Sequence, residues 1–127
     1  MEDSQAKGSI EAQEYREAVV NMLQAYREQG IDRVMDEHRL DAIIAPSGSP
    51  AWKTDLINGD NFVLDTSVYA ALSGYPNINV PMGFVGELPV GLSFFGRAWS
   101  EPVLLEIAYA YEQGTRHRRP PRFQLTD

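Results

Sequence analysis

The sequence predicts an α/β fold, in which a partial mixed β-sheet of about three strands is flanked by helices. Two stretches, residues 77–80 and 90–95, carry no charged side chain, which is typical of strands that are covered on both faces. The segments around them repeat apolar residues every three or four positions, as helices packed on a sheet do. With 127 residues, 43% of them hydrophobic and 23% charged, the chain is long enough for one domain.

The first element is a helix over residues 10–29, preceded by a loose lead-in of residues 1–9. Its apolar side chains recur at three- and four-residue spacing, and its charged side chains fall largely on the opposite side. Ser9 is the predicted N-cap, and Gly30 is predicted to end the helix. One face of this helix is expected to pack on the sheet.

A short helix over residues 32–38, capped by Asp32, leads into a buried strand, residues 40–46, that Pro46 ends. A helix that feeds such a strand is half of a parallel βαβ unit. Residues 47–62 form a long loop, punctuated by glycine, proline, asparagine and aspartate. Because this loop follows the carboxyl end of a strand, it lies where α/β proteins usually bind ligands.

The next helix covers residues 64–72, and Ser73 and Gly74 end it. Its cap is expected among three neighbouring residues, Asp65, Thr66 and Ser67. The two uncharged strands follow, the first ended by Pro81 and the second by Gly96. Gly86 can supply the positive φ that the connection between them requires.

A last helix begins after Ser100, its predicted N-cap, and Gly114 is predicted to end it. Residues 116–127 form a basic, proline-rich tail. The arginines of such a tail more often lie against the negative end of a helix or against nearby carboxylates than against a bound anion.

Composition excludes several classes of function. The net charge of −7 argues against nucleic acid as a partner, because phosphate binding needs a clustered positive surface. It also argues against an anionic membrane surface, and no apolar run approaches the roughly 20 residues of a membrane helix. With no cysteine and two histidines, a metal site or other cofactor is not expected. No signal peptide is visible, so a cytoplasmic protein is predicted.

The residues themselves do not display an active site. No G-x-S-x-G elbow, phosphate loop, dinucleotide fingerprint or H-E-x-x-H motif is present. Ser49 and Ser93 are the serines worth testing as nucleophiles, but neither has the surroundings of an elbow. A Ser-His-Asp set would have to be assembled from separate residues, such as Ser49 with His38 and Asp41.

The stretch from residue 74 to residue 113 resembles the C-terminal part of the amidase signature family. In that family a Gly-x-Pro turn, a Val-Pro-x-Gly step, a Leu-Pro-Val-Gly step and a Glu-x-x-Leu-Leu helix follow one another. The matching residues are Gly74, Pro76, Val80, Pro81, Gly83, Leu88, Pro89, Val90, Gly91, Gly96, Arg97, Glu101, Leu104, Leu105, Glu112 and Gln113. Upstream, residues 40–52 resemble the family's strand and its following Ala-Pro-Thr-like loop, with Ser47 where threonine is common.

This resemblance implies hydrolysis of a small carboxamide substrate through an acyl-enzyme. Family members use a serine nucleophile, a second serine in a cis peptide and a lysine base. That Gly- and Ser-rich segment has no counterpart here, and the only lysines, Lys7 and Lys53, lack its surroundings. No catalytic residue is therefore carried over, and the chain is expected to be inactive alone.

Three residues of the loop after the buried strand are weak candidates for lining the substrate pocket: Ser47, Pro50 and Trp52. The resemblance alone supports them. For Trp52, an anchor that holds the loop to the body is the commoner role.

The resemblance also implies that residues 1–127 form one domain, the C-terminal fragment of a larger amidase. Such a fragment would expose a sheet edge or an apolar face, so self-association is expected. Two alternatives remain open. The chain is a free-standing binding or assembly module that complements a partner carrying the Ser-Ser-Lys set, or it is a small enzyme that uses Ser49 or Ser93.

Overall fold

A computed structural model describes residues 7–121 of the chain. Within this range a hairpin and one further strand form a sheet that lies between helices. The elements in chain order are α1 (Gln13–Tyr26), a π-helical turn (Arg27–Asp32), α2 (Arg33–His38), β1 (Ile43–Pro46), α3 (Ser67–Ser73), β2 (Asn77–Val85), β3 (Leu88–Phe95) and α4 (Glu101–Thr115).

The three strands lie in the order β1-β3-β2, and β3 is antiparallel to both neighbours. Phe94 of β3 therefore lies between Ile44 of β1 and Ile78 of β2. Since β1 and β2 are both antiparallel to β3, they run in the same direction, joined by the crossover through α3. The predicted α/β class with about three strands is confirmed. The parallel pairing expected of the βαβ unit is not formed, because β3 is inserted between the two parallel strands.

The hairpin is longer than the sequence predicts. Gly86 has the positive φ of 64° expected of the turn, but β2 continues through Pro81 instead of ending there. A proline is tolerated because β2 is an edge strand, whose outer N–H groups have no ladder partner to lose. The register of β2 against β3 shifts between Pro81 and Gly83, which marks a β-bulge at this point.

Both faces of β3 are covered, as the uncharged strands predict. The strand β1, which was predicted to be buried, has no buried residue, and its Ile44 is exposed. On one face Leu104 and Ala108 of α4 pack against Val80, Leu92 and Phe94. On the other face the helical segment before β1 supplies the cover. There Ile31 and Met35 pack against Phe95, and Ile43, Ala45 and Tyr75 close around them.

The helix α1 differs most from expectation. It begins at Gln13, its N-cap position is Ala12, and none of its residues is buried. Ser9 instead accepts a hydrogen bond from the Glu11 N–H, before the helix. The predicted packing of α1 on the sheet is therefore wrong: the sheet is covered by the π turn and α2, and α1 contacts α3.

Gly30 does not end a helix, because the π turn carries the chain through it and into α2. A π turn is wider than an α turn and brings a residue close to the carbonyl five positions earlier. A Cβ on Gly30 would lie 2.9 Å from the Ala25 carbonyl oxygen. The glycine is therefore required by the close approach of two backbone segments.

Residues of the π turn also contact the end of α3 and the residues just after it. Arg27 donates to the Ser73 carbonyl oxygen at 2.6 Å, and its guanidinium lies 5.2 Å from the Tyr75 ring centre. The Tyr75 hydroxyl donates to Asp32 at 2.8 Å. Asp32 was expected to cap α2, but its carboxylate accepts this hydroxyl and makes no capping bond. Partial burial, and then this hydrogen bond, raise the pKa of Tyr75.

Of the remaining helix ends, some agree with the prediction and others do not. Thr66 occupies the N-cap position of α3 and makes no side-chain capping bond. The carboxylate of the preceding Asp65 instead accepts the Ser67 N–H at 2.7 Å and the Ser67 hydroxyl at 2.8 Å. These bonds lower the pKa of Asp65. Gly74 closes α3 with a φ of 69°, as predicted. The Ser100 hydroxyl, however, donates back to the Arg97 carbonyl and does not cap α4.

The helix α4 passes through Gly114 and ends at Thr115, with Arg116 in the left-handed region. Arg116 donates to the Gln113 carbonyl at 3.3 Å, as expected of a basic tail at the negative end of a helix. Arg119 lies over the Phe84 ring at 4.5 Å. The tail residues beyond 121 lie outside the described range.

Gly30 and Gly114 should respond to alanine with opposite signs. Gly30→Ala places a methyl group against the Ala25 carbonyl and should lower the free energy of unfolding by about 1–3 kcal/mol. Gly114→Ala meets no atom within 4 Å and gains helix propensity, so it should raise that energy by about 0.5–1 kcal/mol. Urea unfolding measures both. A higher free energy of unfolding for Gly30→Ala would contradict the close approach of residue 30 to the Ala25 carbonyl in the π turn.

Tyr75→Phe tests the bond to Asp32 through its pH dependence. Because the folded pKa of Tyr75 is raised, its contribution is fully present below the unfolded value of about 10 and is lost as the pH rises through the folded value. The wild type should therefore exceed the variant in free energy of unfolding at pH 7, and the difference should shrink above about pH 10. Tyr109→Phe, at an exposed tyrosine of α4, is the control. Its free energy of unfolding should equal that of the wild type at both pH values.

Candidate functional site

Three polar side chains meet where β1 runs into the long loop. The Asn79 side-chain amide donates to the Ser47 hydroxyl oxygen at 2.6 Å, and the Ser47 and Ser93 hydroxyls lie 2.8 Å apart. Asn79 and Ser93 are direct cross-strand partners on β2 and β3. The Ser47 N–H donates to the Gly91 carbonyl at 2.8 Å, which continues the β1–β3 ladder by one residue. This polar cluster, Ser47, Asn79 and Ser93, thus joins all three strands.

Gly91 makes room for the polar cluster. A Cβ at this position would lie 2.8 Å from the Asn79 amide nitrogen and 2.9 Å from the Ser47 hydroxyl oxygen. Both contacts are shorter than side chains tolerate. Glycine at position 91 is therefore needed for the amide and the hydroxyl to approach each other.

Thr66 closes the base of the loop. It is 5% exposed, and its hydroxyl donates to the Pro46 carbonyl at 2.9 Å. The Thr66 N–H bonds the Ser47 carbonyl, and the Ser49 N–H bonds the Leu64 carbonyl, both at 3.3 Å. The two stems of the loop are therefore paired with each other, and the loop leaves the sheet from a fixed base.

Beyond this base the loop is braced by its own residues. The Trp52 indole N–H donates to Asp60 at 3.3 Å, and the Trp52 and Phe62 rings meet edge to face at 6.4 Å. At the tip, Asp55 accepts the N–H groups of Ile57 and Asn58 and the side-chain amide of Asn58. The Asn58 bonds, then the Ile57 bond, lower the pKa of Asp55.

The predicted pocket residues all lie at the start of this loop. Ser47 belongs to the polar cluster, Pro50 is half-buried beyond it, and Trp52 is 39% exposed. Trp52 contacts Asp60 and Phe62 of its own loop, whereas it was expected to anchor the loop to the body of the protein. The role of these residues in lining a pocket stays a prediction.

The serines considered as nucleophiles lack a base. The Ser49 hydroxyl is buried and has no hydrogen-bond partner among the described residues, so no set with His38 and Asp41 is formed. The Ser93 hydroxyl faces Ser47. Neither lysine of the chain bonds to a serine within residues 7–121. Neutral hydroxyls and an amide can position a ligand through hydrogen bonds, but a serine needs a neighbouring base to attack a carbonyl.

Neither a metal-binding cluster nor a membrane-spanning helix occurs in the same range. Between residues 7 and 121, no three His, Cys, Asp or Glu side chains are grouped so that they could hold a metal ion. None of the helices in this part of the chain is long and apolar enough to cross a membrane.

The sequence of this chain matches known amidases. The family model described as Amidase matches residues 2–105. A probable amidase of Arabidopsis thaliana is 43% identical over 95 residues, which cover 74% of this chain and 15% of that protein. The chain belongs to the amidase family. One subunit of the glutamyl-tRNA(Gln) amidotransferase of Pseudothermotoga lettingae is 38% identical over 106 residues, which cover 78% of this chain and 22% of that relative.

A solved structure shows the same fold. The peptide amidase of Stenotrophomonas maltophilia superposes with a TM-score of 0.85 at 42% identity, over 95% of this chain and 24% of that one. The chain thus corresponds to a part of an amidase and spans a quarter or less of the length of these relatives. The resemblance in sequence is confirmed, and the described fold is that of an amidase segment.

Three members of the site are not recognisable as such from the sequence. The sequence assigns no role to Asn79, offers Thr66 only as one of three helix caps, and offers Ser93 only as a nucleophile. The turn at Gly86 sets a register that would pair residue 79 with residue 94. The β-bulge between Pro81 and Gly83 shifts this register by one and brings Asn79 opposite Ser93, so the position of the turn alone does not predict the pairing. Thr66 bonds residues 19 and 20 positions earlier, and no local pattern reports such a contact.

Replacing Thr66 with valine should loosen the loop while keeping the shape of the side chain. Removal of the hydroxyl leaves the Pro46 carbonyl without its partner, which should lower the free energy of unfolding by about 1–2 kcal/mol. Amide hydrogen exchange should accelerate at residues 49 and 66, the donors that pair the stems. Ser67→Ala, whose hydroxyl contacts only the exposed Asp65, is the control for a lost surface hydroxyl.

Proposed function

We propose that this chain forms part of the substrate-pocket wall of an amide hydrolase and takes its catalytic groups from amidase sequence outside residues 1–127. The observation that carries the proposal is the polar cluster in a chain of the amidase family. It fixes Ser47 at the base of a braced loop, and among residues 7–121 the hydroxyls of the cluster bond to each other and to the Asn79 amide and to no base. Such a group suits ligand positioning better than nucleophilic attack.

The loop offers both kinds of contact that a carboxamide pocket needs. Pockets for small molecules are mostly apolar, with a few polar groups that fix the orientation of the ligand. Trp52 and Phe62 supply apolar surface on the same loop that begins at Ser47 of the cluster. The substrate class is inferred from the relatives, two of which are named as amidases.

The same reasoning defines what the chain does alone. Since no lysine bonds to a serine within the part of the chain that the structure describes, we expect no acyl-enzyme and a structural contribution to hydrolysis. The cytoplasm remains the compartment that the cysteine-free sequence predicts.

A chimera tests the pocket role. The segment of the Stenotrophomonas maltophilia peptide amidase that superposes on this chain is replaced by this chain, and ammonia release from a peptide amide is measured. We expect the chimera to hydrolyse the amide and the isolated chain to be inactive. In the chimera Trp52→Ala should raise KM about tenfold with kcat within about twofold, as for a residue that binds ground state and transition state equally.

Leu88→Ala, at the partly exposed hairpin, is the matched control and should leave both constants unchanged. An inactive chimera would contradict the proposal. So would a Trp52→Ala variant with unchanged KM, or an isolated chain that hydrolyses the amide.

A further inference from the structure

The hydrogen bonds of the polar cluster have a direction that starts at its buried end. Ser93 is 4% exposed, and among the described residues its hydroxyl has one hydrogen-bond partner, the Ser47 hydroxyl at 2.8 Å. A buried hydroxyl whose hydrogen finds no acceptor is destabilising. The Ser93 hydroxyl is therefore the donor of this bond, and the Ser47 oxygen accepts it.

The Ser47 oxygen also accepts a hydrogen bond from the opposite strand. The Asn79 side-chain nitrogen lies 2.6 Å from it and is the donor, because an amide nitrogen carries hydrogens and does not accept them. Two incoming bonds occupy both lone pairs of the hydroxyl oxygen. The hydrogen of Ser47 itself is then spare, since neither of these two partners accepts it and no other partner of this hydroxyl occurs among residues 7–121.

The spare hydrogen lies at the accessible end of the polar cluster. Ser47 is half-buried and Asn79 is exposed, whereas Ser93 is buried. A side chain on residue 91 would begin 2.9 Å from the Ser47 oxygen, but residue 91 is a glycine and leaves that side open. A hydroxyl that accepts two hydrogen bonds is polarised by them and becomes a stronger donor. The cluster therefore presents one directed O–H group.

A directed O–H group selects the kind of atom that it binds. With its lone pairs occupied, the Ser47 hydroxyl can bind an acceptor such as a carbonyl oxygen, but it cannot bind an N–H group. In an amide hydrolase, the donors to the carbonyl oxygen of the cleaved amide must lie where charge develops, beside the nucleophile. The hydroxyls of the cluster bond to no base within residues 7–121. Ser47 is therefore suited to a carbonyl oxygen elsewhere in the substrate.

We propose that Ser47 is a specificity-determining residue whose hydroxyl donates to a peptide carbonyl oxygen of the substrate, outside the carboxamide that is cleaved. Asn79 and Ser93 are positioning residues, because the bonds that they donate set the direction of the Ser47 hydrogen. The inference rests on the proposed function and names the substrate group that the site recognises.

Two substitutions of Asn79 distinguish the direction of the bond from a structural role. Asn79→Asp keeps the shape of the side chain, but its carboxylate is ionised at pH 7 and takes the Ser47 hydrogen for itself. Asn79→Ala removes a donor and leaves that hydrogen spare. In the peptide amidase chimera, KM for a peptide amide should rise about tenfold with Asn79→Asp and less than about threefold with Asn79→Ala, with kcat within about twofold. A structural role would make alanine at least as harmful as aspartate.

A thioamide substrate tests the accepting atom. Sulfur in place of the peptide carbonyl oxygen next to the cleaved amide is a weaker acceptor. The sulfur substitution should raise KM about fivefold in the unsubstituted chimera. Ser47→Ala should raise KM for the oxygen substrate about tenfold, and sulfur should then change it by less than about twofold. Ser47→Thr keeps the hydroxyl and should behave as the unsubstituted chimera, and Ser67→Ala is the control for a lost serine hydroxyl.

Three results would each overturn the inference: unchanged KM with Ser47→Ala, a larger effect of alanine than of aspartate at residue 79, or an equal effect of sulfur with and without the Ser47 hydroxyl. If Trp52→Ala raises KM in the same chimera and Ser47→Ala does not, the hydrogen-bonding role of Ser47 fails and the pocket function stands. An inactive chimera rejects the pocket function and this inference with it.

Discussion

The burial of β3 between two strands and two helical layers is the constraint on which the rest of the structure depends. Residues 92–95 of this strand are all buried, because α4 covers one face and the π turn with α2 covers the other. Such a strand can carry no charge, and it must satisfy its backbone groups on both edges. The hairpin supplies β2 on one edge, and the crossover through α3 allows β1 to occupy the other.

The polar cluster follows from the same burial. Ser93 is 4% exposed in an otherwise apolar run, and a buried hydroxyl without a partner is destabilising by about 1–3 kcal/mol. Its partner is Ser47, which is at hydrogen-bond distance only because β1 is in register with β3. Asn79 completes the cluster from the opposite edge, and Gly91 must lack a side chain to admit it. The position of the candidate site is thus a consequence of how the sheet is assembled.

The sequence predicts part of what local chemistry determines, although the helix ends expected at Ser9, Ser100 and Gly114 are not formed there. The turn at Gly86, the end of α3 at Gly74 and the cover on both faces of β3 were all foreseen. Several other features were missed because they depend on contacts between distant segments. The π turn replaces a helix end at Gly30 because Ile31 and Met35 gain burial against Phe95, which lies far along the chain. In the same way, Asp32 forgoes a capping bond for Tyr75, and Thr66 reaches back to Pro46.

The base and the tip of the loop between β1 and α3 are both held by hydrogen bonds, but they differ in what their side chains contact. Its base is tied by the Thr66 hydroxyl and by paired backbone groups, so Ser47 holds its position without help from outside the described residues. Its tip is held equally firmly, by Asp55, yet it places Leu56 and Ile57 where they gain no burial. A tip with no role would lose nothing by being polar. The loop therefore has a base that holds Ser47 beside the sheet and an equally ordered tip whose aliphatic side chains remain exposed.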